Sequence, residues 1–168
     1  MPGEKPFWRR KTLKQLTTAE WEALCDGCGK CCLYRLEDED EGTLEATNVA
    51  CRLLDCKSGA CSNYAKRKEI VPDCIKLTPA VVAKMDWLPA TCGYRRVHLG
   101  KDLPWWHYLK SGDRDLVHKL GVSVRGKAIS ELKAGPLEHH IVDWVDHPGP
   151  PKPKKSAKKA AQRKAKRA

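Results

Sequence analysis

Cys25-Asp26-Gly27-Cys28-Gly29-Lys30-Cys31-Cys32 places four thiols within eight residues. Two overlapping Cys-x-x-Cys units, 25/28 and 28/31, let one turn of backbone bring three sulfurs to a common point. Chains hold zinc or an iron–sulfur cluster in this way. Gly27 and Gly29 lie between the thiols, where a tight turn needs positive φ and backbone N–H groups turned toward thiolate. Cys32 follows Cys31 directly, and adjacent side chains rarely reach one small ion together. Cys32 therefore closes the first site or faces a second one.

A disulfide framework and a purely redox dithiol are the competing readings. The chain has nine cysteines, an odd number. Met1-Pro2-Gly3-Glu4 opens without an apolar signal core, and no run approaches membrane-spanning length. A cytoplasmic location is expected, and in that reducing setting clustered thiols serve metal or redox chemistry more often than structural bridges.

Composition points the same way. Leu, Ile, Val and Phe together make 32 of 168 residues, below the fifth of the chain at which an apolar core becomes thin. Bound metal would supply missing stability. The net charge of +11 is uneven: residues 149–168 hold nine Lys and Arg and no acid, while residues 1–148 hold 23 basic against 21 acidic side chains. The chain therefore reads as a metal-binding domain over 1–148 and a disordered Lys/Ala-rich tail over 149–168. That tail is the candidate contact for nucleic acid or an anionic surface.

Thr17-Thr18-Ala19-Glu20 is a capping box opening a helix whose apolar positions, Trp21, Leu24, Cys25 and Cys28, run into the cysteine turn. Leu33–Leu36 and Thr43–Leu54 read as two strands around the acidic turn 37–42, a solvated hairpin turn and not a calcium loop. Ser62 is placed as the cap of a short helix over 63–68. Thr78-Pro79 starts a helix that leads through Val81, Val82 and Met85 to Trp87 and that Pro89 stops, and another covers Cys92–Leu99 and ends at Gly100. Residues 102–107 read as an aromatic loop and 121–126 as a short strand. The expected fold is α+β, one small domain of short helices and a small antiparallel sheet around a cysteine-rich metal site. His98, His107, His118, His139, His140 and His147 are occasional ligand candidates beside so many thiols.

Several stretches, non-cysteine residues included, then match a known group in order. Pro6-Phe7-Trp8, Glu20-Trp21-Glu22, Leu24–Leu33, Asn48-Val49-Ala50-Cys51-Arg52-Leu53, Pro72-Asp73-Cys74-Ile75-Lys76-Leu77, Trp87-Leu88-Pro89 and Gly100–Pro104 resemble the YcgN-like bacterial proteins. These belong to the CxxCxxCC cysteine-cluster group, regarded as zinc- or iron-chelating. The resemblance implies Cys25, Cys28, Cys31, Cys32, Cys51, Cys61, Cys74 and Cys92 as metal ligands. Cys56 and the basic tail depart from the pattern. Cys56 also sits in the polar loop 55–59, so it is the expected non-ligand.

Three functions follow. The first is an iron or iron–sulfur protein, which the x-x spacing with distant further thiols favours over zinc. The second is a structural zinc module for protein or nucleic-acid interaction, although such sites usually pair two separated knuckles. The third is a metal-dependent enzyme. No phosphate-binding loop, dinucleotide fingerprint or nucleophile elbow is present, so an activity is neither assigned nor excluded. Asp26 and Asp73 adjoin thiols and are read as backbone acceptors in turns rather than as bases.

Overall fold

The computed structural model describes residues 3–154. Most of the expected tail, residues 155–168, lies outside them, and with it the expected nucleic-acid contact. Glycine and proline break the chain often, so regular elements are short. Helices α1 (Phe7–Arg10) and α2 (Thr18–Ala23) come first. Strands β1 (Leu33–Glu37), β2 (Leu44–Ala50), β3 (Leu54–Asp55) and β4 (Ala60–Cys61) follow. Next come α3 (Arg67–Ile70), α4 (Pro79–Lys84), α5 (Gly93–His98), α6 (Tyr108–Ser111) and α7 (Leu116–Lys119). Strand β5 (Ile129–Ser130) and α8 (Glu131–Ala134) close the series.

The α+β reading holds, with the sheet mixed. Strands β1 and β2 pair antiparallel, Leu33 opposite Ala50 and Arg35 opposite Ala46, with an irregularity between Leu33 and Arg35. Strand β5 adds to the far side of β2 in parallel, Val49 opposite Ile129 and Ala50 opposite Ser130. Buried Thr47 donates its hydroxyl to the Tyr34 carbonyl at 2.6 Å. A second, two-residue ladder joins β3 to β4.

Among the described residues, three small cores replace one large one. Leu13, Leu24, Val82, Met85, Leu88, Tyr94, Val97 and Leu103 form the helical core. The sheet core holds Leu33, Ala46, Ala50, Leu54, Val124 and Val145. Trp106, Val117 and Val122 make the third. Trp105 donates its indole N–H to the Pro150 carbonyl at 2.9 Å, which holds the proline-rich segment against the indoles.

Four local expectations are corrected. Helix α2 stops at Ala23, before the cysteines, because Gly27 at φ 79° turns the chain. The expected second strand breaks after Ala50, and its end becomes β3. Ser62 caps nothing: its N–H goes to the Leu53 carbonyl at 2.6 Å, and the helix begins later, at Arg67. Residues 121–126 form turns and not a strand, since the Val124 N–H is taken by the Cys28 carbonyl at 2.9 Å. The two later helices stand near their expected places. Thr78 caps α4 by accepting from the Val81 N–H at 3.2 Å, although α4 ends at Lys84 rather than running on to Trp87. Cys92 and Leu99 flank α5.

Candidate metal centre

The knuckle is built by main-chain bonds. The Asp26 carboxylate accepts the Cys28 N–H at 3.0 Å, as its turn position predicted. Gly29 lies at φ 74°, and a 3-10 turn over Lys30–Cys32 returns the Cys32 N–H to the Gly29 carbonyl at 3.0 Å. A methyl group on Gly29 would stand 2.7 Å from Val124 Cγ2 and 3.1 Å from the Gly59 carbonyl oxygen. The knuckle is thus wedged between the β3–β4 turn and the 121–126 loop, and no larger residue fits.

The distant cysteines come to it by equally specific contacts. At Gly93 a Cβ would lie 2.1 Å from the Leu24 carbonyl oxygen. That close approach sets Cys92, the residue before α5, beside Cys25. The Cys51 N–H donates to the Cys32 carbonyl at 3.0 Å where β1 and β2 meet. Cys61 faces Leu54 across the second ladder. Cys74 is fixed by its own N–H to the Val71 carbonyl at 2.9 Å and by the Lys68 ammonium on its carbonyl at 2.7 Å.

Thiol charge is strongly disfavoured here. Burial first, then the neighbouring Cys31, push the Cys25 thiol up to about 12, with Asp26 and Cys92 adding to the effect. Cys28 is raised well above an ordinary thiol by burial, Asp26, Cys31 and Cys25. Cys31 is raised first by a hydrogen bond with the Cys32 side chain and then by burial. Burial pushes Cys92 up to about 11, with Cys31 and Asp26 adding to it. Cys74 rises through burial, Cys51, Cys61 and Cys31, against the lowering effect of Arg67. Cys25 and Cys31 nevertheless keep exposed surface; the crowding governs their charge, and the surface leaves them within reach of an ion. Lys30 is only 3 % exposed. Its ammonium is lowered by burial and partly restored by Cys28 and Asp26.

These thiols suit a soft cation. Among the described residues no three His, Cys, Asp or Glu side chains converge tightly enough to hold an ion as they stand. The donor set is all-sulfur, however, and at Cys25, Cys28, Cys31 and Cys92 burial and neighbouring cysteines disfavour the bare thiolate, so that a bound cation would replace the protons. Thr91 Oγ1 and Trp106 Nε1 are buried without a partner among the described residues, and both side chains line one cleft with residues 148–151.

The remaining candidates stand elsewhere. Cys56 is half-buried against the sheet core rather than loose in a polar loop. The loop's Asp55 caps its own turn at the Lys57 N–H, which fixes it. Burial and Asp55 raise the Cys56 thiol and Lys133 lowers it, with no cysteine acting on it. His107, fully buried, spends its ring on the Leu24 carbonyl at 2.9 Å and the Leu109 N–H at 3.1 Å. His118 Nδ1 pairs with Ser123 Oγ at 2.7 Å, and His140 Nε2 with the Ala134 carbonyl at 2.7 Å.

The comparisons with known proteins bear on the same residues. A family model, CxxCxxCC, described as a "Putative zinc- or iron-chelating domain", matches residues 24–93, the span from Cys25 to Cys92. A UPF0260 protein of Rhizorhabdus wittichii is 60 % identical over 143 residues, covering 85 % of this chain and 98 % of that protein. One of Granulibacter bethesdensis is 59 % identical over 150 residues, 89 % and 90 % of the two chains. Another, of Pseudomonas aeruginosa, is 54 % identical over 143 residues, 85 % and 93 % of the two chains. No solved structure matches the chain. Identity of this order over nearly the whole of each relative, with the cysteine segment inside it, makes the chain a member of the UPF0260 family.

Proposed function

We propose that this protein binds iron, as an iron–sulfur cluster, through Cys25, Cys28, Cys31, Cys32, Cys51, Cys61, Cys74 and Cys92, in a reducing cytoplasm. The observation that carries the reading is the close approach of Gly93 to Leu24, which sets a thiol from beyond the sheet beside the Cys-x-x-Cys turn. Backbone spacing that admits no methyl group is an expensive arrangement for a chain that merely stores cysteines. All-thiolate donors favour zinc, copper(I) and iron–sulfur clusters over calcium or magnesium. Three thiols at x-x spacing on one turn favour iron within that set. Among the described residues no helix is long and apolar enough to cross a membrane.

When bound, iron in sulfur ligation supplies one-electron chemistry. The chain's own residues hold and shape the site: Asp26 orders the turn and Lys30 offsets thiolate charge. The deciding experiment is purification without oxygen, followed by iron, zinc and acid-labile sulfide analysis and a visible spectrum. Brown protein containing iron and sulfide is expected. Colourless protein with stoichiometric zinc would replace iron by zinc in this reading.

A further inference from the structure

Main-chain contacts sort the cysteines into two sets. Cys25, Cys28 and Cys31 share the knuckle, and Gly93 on the Leu24 carbonyl carries Cys92 to its start. On the other side, the Cys51 N–H holds the Cys32 carbonyl at 3.0 Å, and the Cys51 carbonyl takes the Leu54 N–H at 2.9 Å. Leu54 is the residue that faces Cys61. The Arg52 guanidinium reaches the Ile70 carbonyl at 2.7 Å and the Lys68 ammonium reaches the Cys74 carbonyl at 2.7 Å. Together they draw α3 and Cys74 toward the end of β2.

Resting on the chelation reading above, we propose that the eight thiols form two adjacent four-sulfur centres, Cys25/Cys28/Cys31/Cys92 and Cys32/Cys51/Cys61/Cys74, with Cys56 in neither. The Cys31 and Cys32 side chains touch, so the two centres share a wall there. Four thiolates complete one tetrahedral ion, which answers why a cysteine follows another directly: one belongs to each centre. Gathering all eight around one ion would exceed that coordination number twofold. A single polynuclear cluster using every thiol is the alternative that the experiment must separate.

The test uses the full chain, reduced and reconstituted with zinc(II) alone. Native mass spectrometry counts ions while a graded chelator removes them, and alkylation with peptide mapping follows each thiol. Two ions per chain are expected, leaving in two steps, with four thiols of one set becoming reactive at each step. Cys56 reacts at a rate independent of metal. Cys92→Ser and Cys74→Ser should each retain one ion and leave the opposite set protected. If either variant fails to fold, the two-step labelling of the unmodified chain still decides. Thiols of both sets appearing in one step, or all ions leaving together, overturns the division while metal binding stands. A chain that retains neither zinc nor iron overturns the chelation reading itself.

Discussion

Asp102 and Gly93 illustrate how much single positions carry. Burial alone would raise the Asp102 carboxyl, but the Lys110 ammonium, the Trp8 indole N–H and the Leu103 N–H outweigh it and hold it at about 2. A depressed folded pKa stabilises the protein fully above the unfolded value near 4, and that contribution is lost as pH falls toward 2. With a third of the side chain exposed, solvent screening reduces it to roughly 1–2 kcal/mol. Asp102→Asn should therefore be less stable by that amount in urea melts at pH 7, and the two proteins should converge near pH 2. A gap that persists in acid would place its origin outside this ionisation. At Gly93 an added methyl meets main chain, which cannot rotate away, whereas Gly27 has nothing within 4 Å of a Cβ. Gly93→Ala should cost about 3 kcal/mol or more through overpacking and release metal. Gly27→Ala should cost about 1 kcal/mol, from its positive φ alone. Thermal melts with metal analysis distinguish them; equal losses would count against the close approach.

At the scale of elements, six-residue α2 is too short to persist by itself. Its N-terminus is held by a reciprocal pair, the Thr17 hydroxyl accepting from the Glu20 N–H and the Glu20 carboxylate from the Thr17 N–H, both at 3.1 Å. Thr17→Ala should destabilise the protein by about 1 kcal/mol, and Thr17→Ser should restore most of that; an alanine variant melting like the parent would show the cap idle. This cap, the Thr78-Pro79 start and the β1–β2 hairpin were legible because each is specified by residues a few places apart. Strand β5 was not, because its partner is β2, some eighty residues earlier in the chain, and a two-residue strand has no periodicity to read. The end of α2 was misplaced for a related reason: Cys25 and Cys28 keep helical spacing, while the turn at Gly27 overrides it. The knuckle itself was plain in the sequence. The approach of Cys92 was not, since it depends on one glycine meeting one carbonyl.

At the scale of the whole molecule, the described residues form three cores, the largest with eight buried residues. None is of a size that ordinarily stabilises a chain of this length, and the cysteine segment joins all three: Cys92 packs on the first, Cys32 on the second and Cys28 on the third. Metal bound across that junction would contribute on the order of 10 kcal/mol to folding. Removing it with a chelator under reducing conditions should abolish the sharp thermal transition and disperse the near-ultraviolet signal of the tryptophans. Metal-free protein that still melts cooperatively would make the three cores self-sufficient. Acid should act in the same direction, because protons compete with metal for thiols that are already reluctant to ionise.

The position of Val124 against the knuckle has a consequence for how the protein is made. Val124 binds the Cys28 carbonyl through its N–H and crowds Gly29 with its side chain, so the knuckle's cover comes from later in the chain than Cys92. Synthesis runs from the N-terminus. Every thiol is therefore synthesised before the residues that cover the knuckle, and Cys25 to Cys32 emerge from the ribosome well ahead of them. In that interval the knuckle is open both to a metal donor and to oxidation.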